Sequence, residues 1–325
     1  MQHWTRRESL HAIGALALGS AGCAHAQAAW PACPLTWVVG YPPGGGSDTM
    51  ARIVASRMAP LLGQSIVVDN RPGGAGQIAA AYVARSAADG YTLLIDASSF
   101  AINLGLGLRL AYSAQSFATV GLLAFFPLVV VAHPGFSARS MADVIALAKA
   151  RPGEVFFASA GNGSVQQIMG ALLMQAAGIE LTHVPYKGAG PALNDVMGGQ
   201  VPLFFANPAA ALPAIRAGKL RALAVTGSHR LAELPEVPTL AETPAGDVQL
   251  REWNGMFVPA ATPAAVLERL SAALRHALDD EDVKRRVAAL SGEVFDGSRA
   301  DAMRFVDGEI SAMGRVIHER GIKAQ

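Results

Sequence analysis

The chain of 325 residues carries a formal net charge of +1, and 51% of its residues are apolar. This charge balance gives no sign of the basic face that nucleic-acid binding requires. The length predicts two lobes, because a single hydrophobic core rarely serves more than about 250–300 residues.

The first 26 residues are predicted to be a signal peptide. Arg6 and Arg7 precede an apolar stretch at 12–18, and Ala24–Ala26 places small residues at both positions of a cleavage motif. The arginine pair resembles a twin-arginine signal. We expect cleavage near Gln27 and export to the periplasm. Cleavage leaves equal numbers of basic and acidic residues, and no later uncharged run is long enough to span a membrane.

Neither cysteine indicates a structural role. Cys23 could carry a lipid anchor, but Ser20 stands where lipid attachment prefers a bulky aliphatic residue, so this alternative is weaker. Cys33 is the one cysteine left after cleavage, which excludes an intramolecular disulfide and a zinc-type cysteine cluster.

Short apolar runs alternate with helical patterns along the mature chain, which is typical of a parallel sheet covered by helices. Several runs are apolar at every position, so we expect helices on both faces of the sheet. The predicted strands are Thr36–Gly40, Ile66–Asn70, Thr92–Asp96, Leu128–Ala132, Val155–Ala158, Leu181–Val184, Leu203–Ala206 and Leu220–Val225.

Three helices have clear signals in the sequence. Ser140 and Asp143 stand at capping-box spacing, and Pro152 stops the helix that follows them. Thr262–Pro263 opens a second helix, and Arg299–Gln325 is predicted to be a last helix with a frayed tail. The second helix has one apolar stripe that must pack on a sheet, formed by Leu267, Leu270, Leu274 and Leu278.

Two segments are predicted to cross between lobes, the apolar strand Phe126–Val131 and its later counterpart Glu252–Pro259. They divide the mature chain into a discontinuous first lobe, residues 27–126 and 252–325, and a second lobe, residues 127–251. A chain that leaves a lobe and returns forms a hinge beside a cleft. The alternative is that both segments are linkers within one domain.

The opening loop, Tyr41–Asp48, is the strongest candidate for a binding site. It joins the first predicted strand to an amphipathic helix through the sequence YPPGGGSD. Glycines let the backbone approach a ligand closely, and free N–H groups at a helix N-terminus attract an anion. A phosphate would need a P-loop lysine or a dinucleotide fingerprint, and both are missing. The loop therefore predicts a carboxylate site, with Asp48 capping the helix and shaping the loop.

Four further loops share this strand–loop–helix context. In the first, Arg71 could hold a carboxylate or could form only a local ion pair with Asp69. In the second, Ser98 and Ser99 offer hydroxyls at the carboxyl end of a strand, where ligands collect in open sheets. The alternative for these serines is plain helix capping.

The other two loops follow later strands. In Ser159–Ser164, hydroxyls and glycine N–H groups at a helix start could grip a carboxylate without a formal positive charge. In the last loop, Tyr186 could form a wall and Lys187 could pair with an anion. Exposed lysines are usually solvated, which is the alternative for Lys187.

Catalytic motifs are missing from the sequence. It has no GxSxG, GxxxxGK[ST] or HExxH motif, and the histidines of the mature chain have no metal-ligand spacing. We therefore expect a binding protein rather than an enzyme, with no cofactor and no metal site. The rival interpretation is an exported α/β enzyme that acts on a carboxylic acid, with Asp48 or Lys187 in acid–base roles.

Six sequence blocks stand in order along almost the whole mature chain. They are YPPGGGSDTMAR at Tyr41–Arg52, VVDNRPGGAGQIAA at Val67–Ala80, DGYTLL at Asp89–Leu94, FASAGNGS at Phe157–Ser164, HVPYKGAGPALNDVMGGQV at His183–Val201, and RALAVTG followed by LPEVPTLAE at Arg221–Glu242. These blocks resemble the exported substrate-binding receptors of tripartite tricarboxylate transporters, the Bug or TctC family. The resemblance implies a type II periplasmic-binding-protein fold, in which two α/β lobes close on a small carboxylate held by backbone groups and waters.

The resemblance also implies a partner and a role. We expect a monomeric receptor that delivers its ligand to the large and small membrane subunits of a transporter, with no nucleic-acid partner. A sensory receptor for the same ligand class is the alternative, because it would use the same site.

Carried over position by position, the ligand loops of the family map onto Tyr41, Pro43, Gly44, Gly45, Gly46, Ser47, Asp48, Ser98, Ser99, Ser159, Gly163, Ser164 and Asn207. This chain has Gln167, Ala171 and Ala206 where relatives often have a histidine, a glutamate and an acid. It also has Asp96 and Phe100 where small or polar residues are common, so the ligand's identity stays open. If Asp96 faces the cleft, we expect it to disfavour a second carboxylate and to favour an amino or hydroxyl group.

Overall fold

The computed structural model describes residues 30–246, 248 and 251–323. The predicted signal peptide, its cleavage site and Cys23 lie outside the described residues. Residues Cys33–Gln325 form one compact unit. Within the described part of the chain, no helix is both long enough and apolar enough to cross a membrane.

A six-stranded mixed sheet forms the centre of the first lobe. Its strands are β1 (Leu35–Val39), β2 (Ile66–Asn70), β3 (Thr92–Ala97), β4 (Phe117–Phe126), β10 (Glu252–Pro259) and β11 (Glu293–Val294). They lie in the order β11-β4-β10-β3-β1-β2. Strand β1 is parallel to β2 and β3, whereas β10 is antiparallel to β3 and β4.

A five-stranded mixed sheet forms the centre of the second lobe. Its strands are β5 (Val129–Ala132), β6 (Phe156–Ser159), β7 (Thr182–Pro185), β8 (Leu203–Ala206) and β9 (Arg221–Val225). They lie in the order β7-β6-β8-β5-β9. Strand β6 is parallel to β7 and β8, whereas β5 is antiparallel to β8 and β9.

Helices follow most of the strands, as an α/β chain requires. They are α1 (Gly46–Leu62), α2 (Gln77–Ala84), α3 (Ser99–Gly105), α4 (Met141–Ala150), α5 (Val165–Ala177), α6 (Ala189–Met197), α7 (Pro208–Arg216), α8 (Ala264–Asp279), α9 (Glu281–Ala288) and α10 (Arg299–Glu319). Short 3₁₀ turns lie at Gly74–Gly76, Ala114–Ser116 and Leu240–Glu242.

The local sequence signals are confirmed. All eight predicted strands form, each within one residue of its predicted ends. The Ser140–Asp143 capping box is present at the start of α4. The four leucines of α8 are all buried, so the predicted stripe is the packing face of this helix.

The prediction of a parallel sheet was wrong, because both sheets are mixed. The chain returns to the first sheet as β10, which lies between β3 and β4 and is antiparallel to both. The segment predicted only as a crossing, Glu252–Pro259, is therefore a central strand. Strand β4 was not predicted, because Thr119 and Gly121 interrupt its apolar run and glycine weakens a strand signal.

The first crossing between the sheets is short and hydrogen-bonded. Only Pro127 and Leu128 separate β4 from β5. The Leu128 N–H donates to Thr226 Oγ1 (2.9 Å), and the Thr226 N–H donates to the Leu128 carbonyl oxygen (2.9 Å). These bonds join the start of β5 to the end of β9 at the place where the chain enters the second sheet.

Candidate ligand-binding site

The opening loop folds around the buried carboxylate of Asp48, which is 2% exposed. The carboxylate accepts hydrogen bonds from the Gly44 N–H (2.9 Å), from Asn70 Nδ2 (2.9 Å) and from Arg52 Nε (3.0 Å). Burial by itself would raise the pKa of Asp48, but these hydrogen bonds outweigh it and lower the pKa below its usual value. Asp48 therefore shapes the loop as predicted, but it is not the N-cap of α1: that position is Gly45, which has no side chain to cap the helix.

The first N–H groups of α1 are the part of the opening loop that remains without a protein hydrogen-bond partner. Pro43, Gly44 and Gly46 are exposed, whereas the Ser47 side chain is buried and accepts a hydrogen bond from Asn254 Nδ2 (3.0 Å). The first N–H groups of a helix have no intrahelical acceptor. Among the described residues, the N–H groups of Gly46 and Ser47 have no protein acceptor. The N-terminus of α1 thus presents one free donor at the exposed Gly46 and a second at the buried Ser47.

The second serine loop contributes one structural and one accessible side chain. Ser98 is buried, and its hydroxyl accepts the N–H of Trp253 from β10 (2.9 Å). Ser99 is half-buried and contacts the Tyr41 hydroxyl directly. Strand β10 therefore holds both loops of the first lobe, because its residues Trp253 and Asn254 bond to Ser98 and Ser47.

Asp96 lies beneath these loops rather than in the open. It is 0% exposed, and its Oδ1 accepts the Tyr41 hydroxyl (2.9 Å) and the Ala97 N–H (2.8 Å). Its Oδ2 is buried and has no hydrogen-bond partner among the described residues. Burial raises the pKa of Asp96 to about 7, although hydrogen bonds from Ala97, Tyr41 and Ser99 act in the opposite direction.

The Ser159–Ser164 loop of the second lobe is bonded mainly to itself and to its neighbours. Ser159 is 0% exposed, accepts the Gly161 N–H (3.0 Å) and lies 2.5 Å from His183 Nε2. The Gly163 N–H donates to Gln167 Oε1 (2.7 Å). Ser164 caps α5 by accepting the Gln167 N–H (3.4 Å). The side chains of this loop therefore fix the conformation of the loop through hydrogen bonds to its own backbone and to neighbouring residues.

The Ser159–His183 pair also bears on the enzyme interpretation. A serine nucleophile needs a base that is itself oriented, together with access to substrate. Ser159 is buried, and its hydroxyl also donates to the Gly161 carbonyl oxygen (3.1 Å). Burial lowers the pKa of His183. The pair thus fits a structural hydrogen bond that supports the loop.

Residues of the second lobe lie close to residues of the first lobe at two places. Asn207 caps α7 by accepting the Ala209 N–H (3.0 Å). Burial raises the pKa of Glu252, the first residue of β10, and the nearby Asn207 side chain acts in the opposite direction. At Gly163, a Cβ atom would lie 2.9 Å from Leu106 Cδ1, so the backbone there packs closely on the chain that follows α3. Predicted residues of both lobes are therefore held near strand β10 and α3.

The remaining two candidate loops show fewer features of a binding site than the loops described above. Arg71 pairs with Asp69 (2.8 Å) and lies over the Tyr82 ring (3.6 Å to its centroid), which agrees with the local ion pair. Tyr186 donates its hydroxyl to Asp195 Oδ2 (2.7 Å), and Lys187 is exposed. A cavity of about 660 Å³ lies beside strand β9. None of the residues that line it belongs to the predicted ligand loops.

Sequence reasoning missed the start of β10. Asn254 bonds to the predicted ligand residue Ser47, and Glu252 lies near Asn207 of the second lobe, where burial raises the pKa of Glu252. The available signal was the pair of polar residues at positions 252 and 254, which interrupts an otherwise apolar strand. Alternate polar residues at the end of a central strand indicate side chains that face one site.

The sequence matches a receptor family. A family model described as "Tripartite tricarboxylate transporter family receptor" matches residues 50–322. Protein BugT of Bordetella pertussis is 35% identical over 319 residues, which cover 97% of this chain and 98% of that protein. A protein encoded in the TAR-I ttuE-ttuC' intergenic region of Agrobacterium vitis is 39% identical over 268 residues, 82% of this chain and 78% of that protein.

The structure matches periplasmic binding proteins of similar sequence. An R. palustris protein solved with adipate has a TM-score of 0.79 and 33% identity, over 91% of this chain and 100% of that chain. MatC from Rhodopseudomonas palustris with bound malate has a TM-score of 0.75 and 32% identity, over 89% and 100%. The periplasmic binding protein BugD has a TM-score of 0.76 and 30% identity, over 91% and 100%. The predicted two-lobed periplasmic-binding-protein fold is thus confirmed.

Proposed function

The chain belongs to the tripartite tricarboxylate transporter receptor family, and on this premise we propose that it captures one small organic carboxylate between its two lobes in the periplasm. The lobes close on the ligand, and the closed form is recognised by the large and small membrane subunits of a transporter. A ligand shifts such an equilibrium by binding the closed state more tightly than the open one. The receptor acts as a monomer, without a cofactor and without chemistry on its ligand.

The observation that carries this proposal is the free N-terminus of α1. Asp48 and Asn254 hold the opening loop from within, and the N–H groups of Gly46 and Ser47 have no protein acceptor. Such donors, combined with the helix dipole, stabilise a carboxylate without any basic side chain. Adipate and malate, the ligands in two related structures, are small organic carboxylates of the proposed kind.

The lobe division follows from the two chain crossings. We propose a first lobe of residues 27–126 and 252–325, a second lobe of residues 127–251, and a hinge where the chain passes between the two sheets, at Phe126–Val131 and immediately before β10; the rest of the predicted hinge segment Trp253–Pro259 is a central strand of the first sheet. The short link at Pro127 and Leu128 and the long β10 strand support this division. In this arrangement Asn207, Gly163 and Ser164 approach the ligand from the second lobe, opposite the opening loop.

The test is a ligand panel of mono-, di- and tricarboxylates, amino acids and aromatic acids, measured by thermal shift and calorimetry. A ligand at about 100 times its Kd adds ~2.7 kcal/mol to the free energy of unfolding, which raises the melting temperature measurably. The bound ligand should be recovered unchanged after incubation. Turnover would favour the enzyme interpretation, and no shift with any compound would contradict the receptor proposal.

The sensory alternative differs only in the partner that recognises the closed form. Transport of the identified ligand by cells that express this chain with its membrane subunits, and loss of uptake when this chain is deleted, would support delivery to a transporter. Unchanged uptake together with altered gene expression would favour a sensor.

A further inference from the structure

We propose that the C-terminal end of α10 is a clasp between the lobes, in which Glu319 and Arg320 bind the second lobe and stabilise the closed form. This inference rests on the proposed function, because it concerns the lobe closure by which the receptor captures its ligand. The clasp lies outside the ligand loops. It therefore sets the fraction of closed protein before the ligand binds, and the apparent affinity scales with that fraction.

The helix α10 is anchored in the first lobe. Near its start, Arg299 Nε donates to the Thr119 carbonyl oxygen of β4 (2.8 Å). Near its middle, Glu309 accepts a hydrogen bond from Trp253 Nε1 of β10 (3.1 Å). A helix rises about 1.5 Å per residue, so Glu319 lies about 15 Å beyond Glu309 along the helix axis. The end of α10 therefore extends well past its last hydrogen bond to the first sheet.

This end of α10 is bonded to the second lobe by two side chains. Gln175 Nε2 of α5 donates to Glu319 Oε2 (3.0 Å). Arg320 Nη1 pairs with Glu180 Oε1 (3.2 Å), and the Arg320 side chain is 25% exposed. Glu180 lies in the segment that joins α5 to β7. Both bonds therefore join side chains of different lobes.

The residues after α10 add an apolar contact beside the ion pair. Gly321 has φ +59°, the left-handed conformation with which glycine commonly ends a helix. The Ile322 N–H then donates back to the Ile317 carbonyl oxygen (2.9 Å). Ile322 packs against the hydrophobic core cluster and lines a cavity of about 200 Å³ together with Arg320 and Phe157 of the second lobe. The chain end is thus held against the second lobe by apolar as well as polar contacts.

The clasp lies next to the supports of the Ser159–Ser164 loop. Gln167 and His183 line the same small cavity as Arg320. Gln167 accepts the N–H of Gly163, and His183 bonds to Ser159. The part of the second lobe that the clasp binds is therefore the part that holds this predicted ligand loop in place.

The same helix supports the place where the loops of the two lobes meet. A Cβ atom at Gly105 would lie 3.0 Å from Ile317 Cδ1, so the end of α3 packs directly on α10. The next residue, Leu106, packs against Gly163 of the second lobe. When the lobes separate at Leu106 and Gly163, α3 and α10 move together as parts of the first lobe, so the two clasp bonds must break as well. The clasp bonds therefore belong to the closed form.

The test is a charge-reversal cycle on the ion pair, measured at low salt. Arg320→Glu and Glu180→Arg each place like charges together, whereas the double variant restores an ion pair of opposite polarity. Each single change should weaken the binding of adipate and malate about three- to fivefold by calorimetry, and the double variant should recover most of that loss. The radius of gyration of the ligand-free protein, measured by small-angle X-ray scattering, should rise in both single variants and fall back in the double variant.

The control is Arg304→Glu, which makes the same charge change on the same helix. Arg304 pairs with Asp301 within α10, and its side chain is 72% exposed. This variant should leave both the affinity and the radius of gyration unchanged, because it breaks no bond between the lobes.

The outcomes separate this inference from the proposed function. If both single variants keep the affinity and the radius of gyration of the wild type, the clasp is wrong while the receptor stands. Losses in both single variants that the double variant does not recover would also overturn it, because each effect would then be local to one residue. If no carboxylate of the panel binds to the wild type, the proposed function itself fails, and the radius of gyration still decides whether the clasp holds the lobes together.

Discussion

The opening loop of the first lobe and the Ser159–Ser164 loop of the second have the same sequence pattern but are held in place by different supporting residues. Both run from a buried strand through glycines and serines into a helix. In the opening loop, side chains from other elements hold the loop, and the first N–H groups of α1 stay free. In the second loop, Gln167 and Ser159 occupy the donors of Gly163 and Gly161.

A glycine-serine loop thus predicts conformation better than it predicts which donors are available. In each loop a side chain four residues ahead takes one glycine N–H, Asp48 for Gly44 and Gln167 for Gly163. The two loops also differ in their supports. Asp96 supports the opening loop through Tyr41, whereas His183 supports the second loop through Ser159.

The largest expected effect comes from Asp96 and its pH dependence. The pKa of Asp96 is about 7 in the native protein, against its usual 3.8. Between about pH 4 and pH 7 the native state holds a proton that the unfolded chain has released, so stability falls as the pH rises through this window. Three pKa units correspond to roughly 4 kcal/mol. Asp96→Asn should therefore gain up to that amount relative to wild type between pH 4 and pH 8.

Urea unfolding of the wild type and the Asp96→Asn variant at several pH values measures this gain. Glu252 and Glu309 contribute equally to both proteins and cancel in the difference, while Tyr41 and Tyr112, whose pKa values are raised by burial and by Asp96, stay protonated throughout this pH range. Glu268→Gln should show no such trend, because Glu268 is exposed. Parallel stability curves for wild type and Asp96→Asn would contradict the raised pKa of Asp96.

The second prediction removes one donor from the opening loop. Gly46 is the first residue of α1, where proline is well tolerated because its missing N–H has no intrahelical partner. The preceding Gly45 has φ −73° and ψ 168°, an extended conformation that suits a residue before proline. Gly46→Pro should therefore preserve the fold and weaken carboxylate binding about tenfold or more, ~1.4 kcal/mol, measured by calorimetry.

The control for this change is Gly46→Ala, which keeps the N–H. No atom lies within 4 Å of a Cβ at this position, so alanine fits without a shift. Equal affinities for the proline variant, the alanine variant and the wild type would mean that the ligand does not use the N-terminus of α1.

The sequence predicts the strands, the capping box at Ser140 and the leucine stripe of α8 because these features depend on neighbours within a few residues. It does not predict that β10 lies antiparallel between β3 and β4, since strand order depends on contacts between residues more than a hundred positions apart. The same limit hid the hydrogen bond between Asn254 and Ser47, which are 207 positions apart. The sequence did single out Asp96, but its contact with Tyr41, 55 residues away, required the fold.

The smallest expected effect is in the second loop, where Gln167→Met removes the acceptor of the Gly163 N–H while keeping side-chain length. The lost hydrogen bond should reduce the free energy of unfolding by about 1 kcal/mol. Ligand affinity should change by less than about threefold, because the Gly163 N–H is not a ligand donor in the wild type and helix capping by Ser164 is retained. Gln167→Glu keeps the acceptor and serves as the control. An affinity loss in the methionine variant as large as that of Gly46→Pro, without loss in the glutamate variant, would show that both loops present backbone donors that depend on their supports.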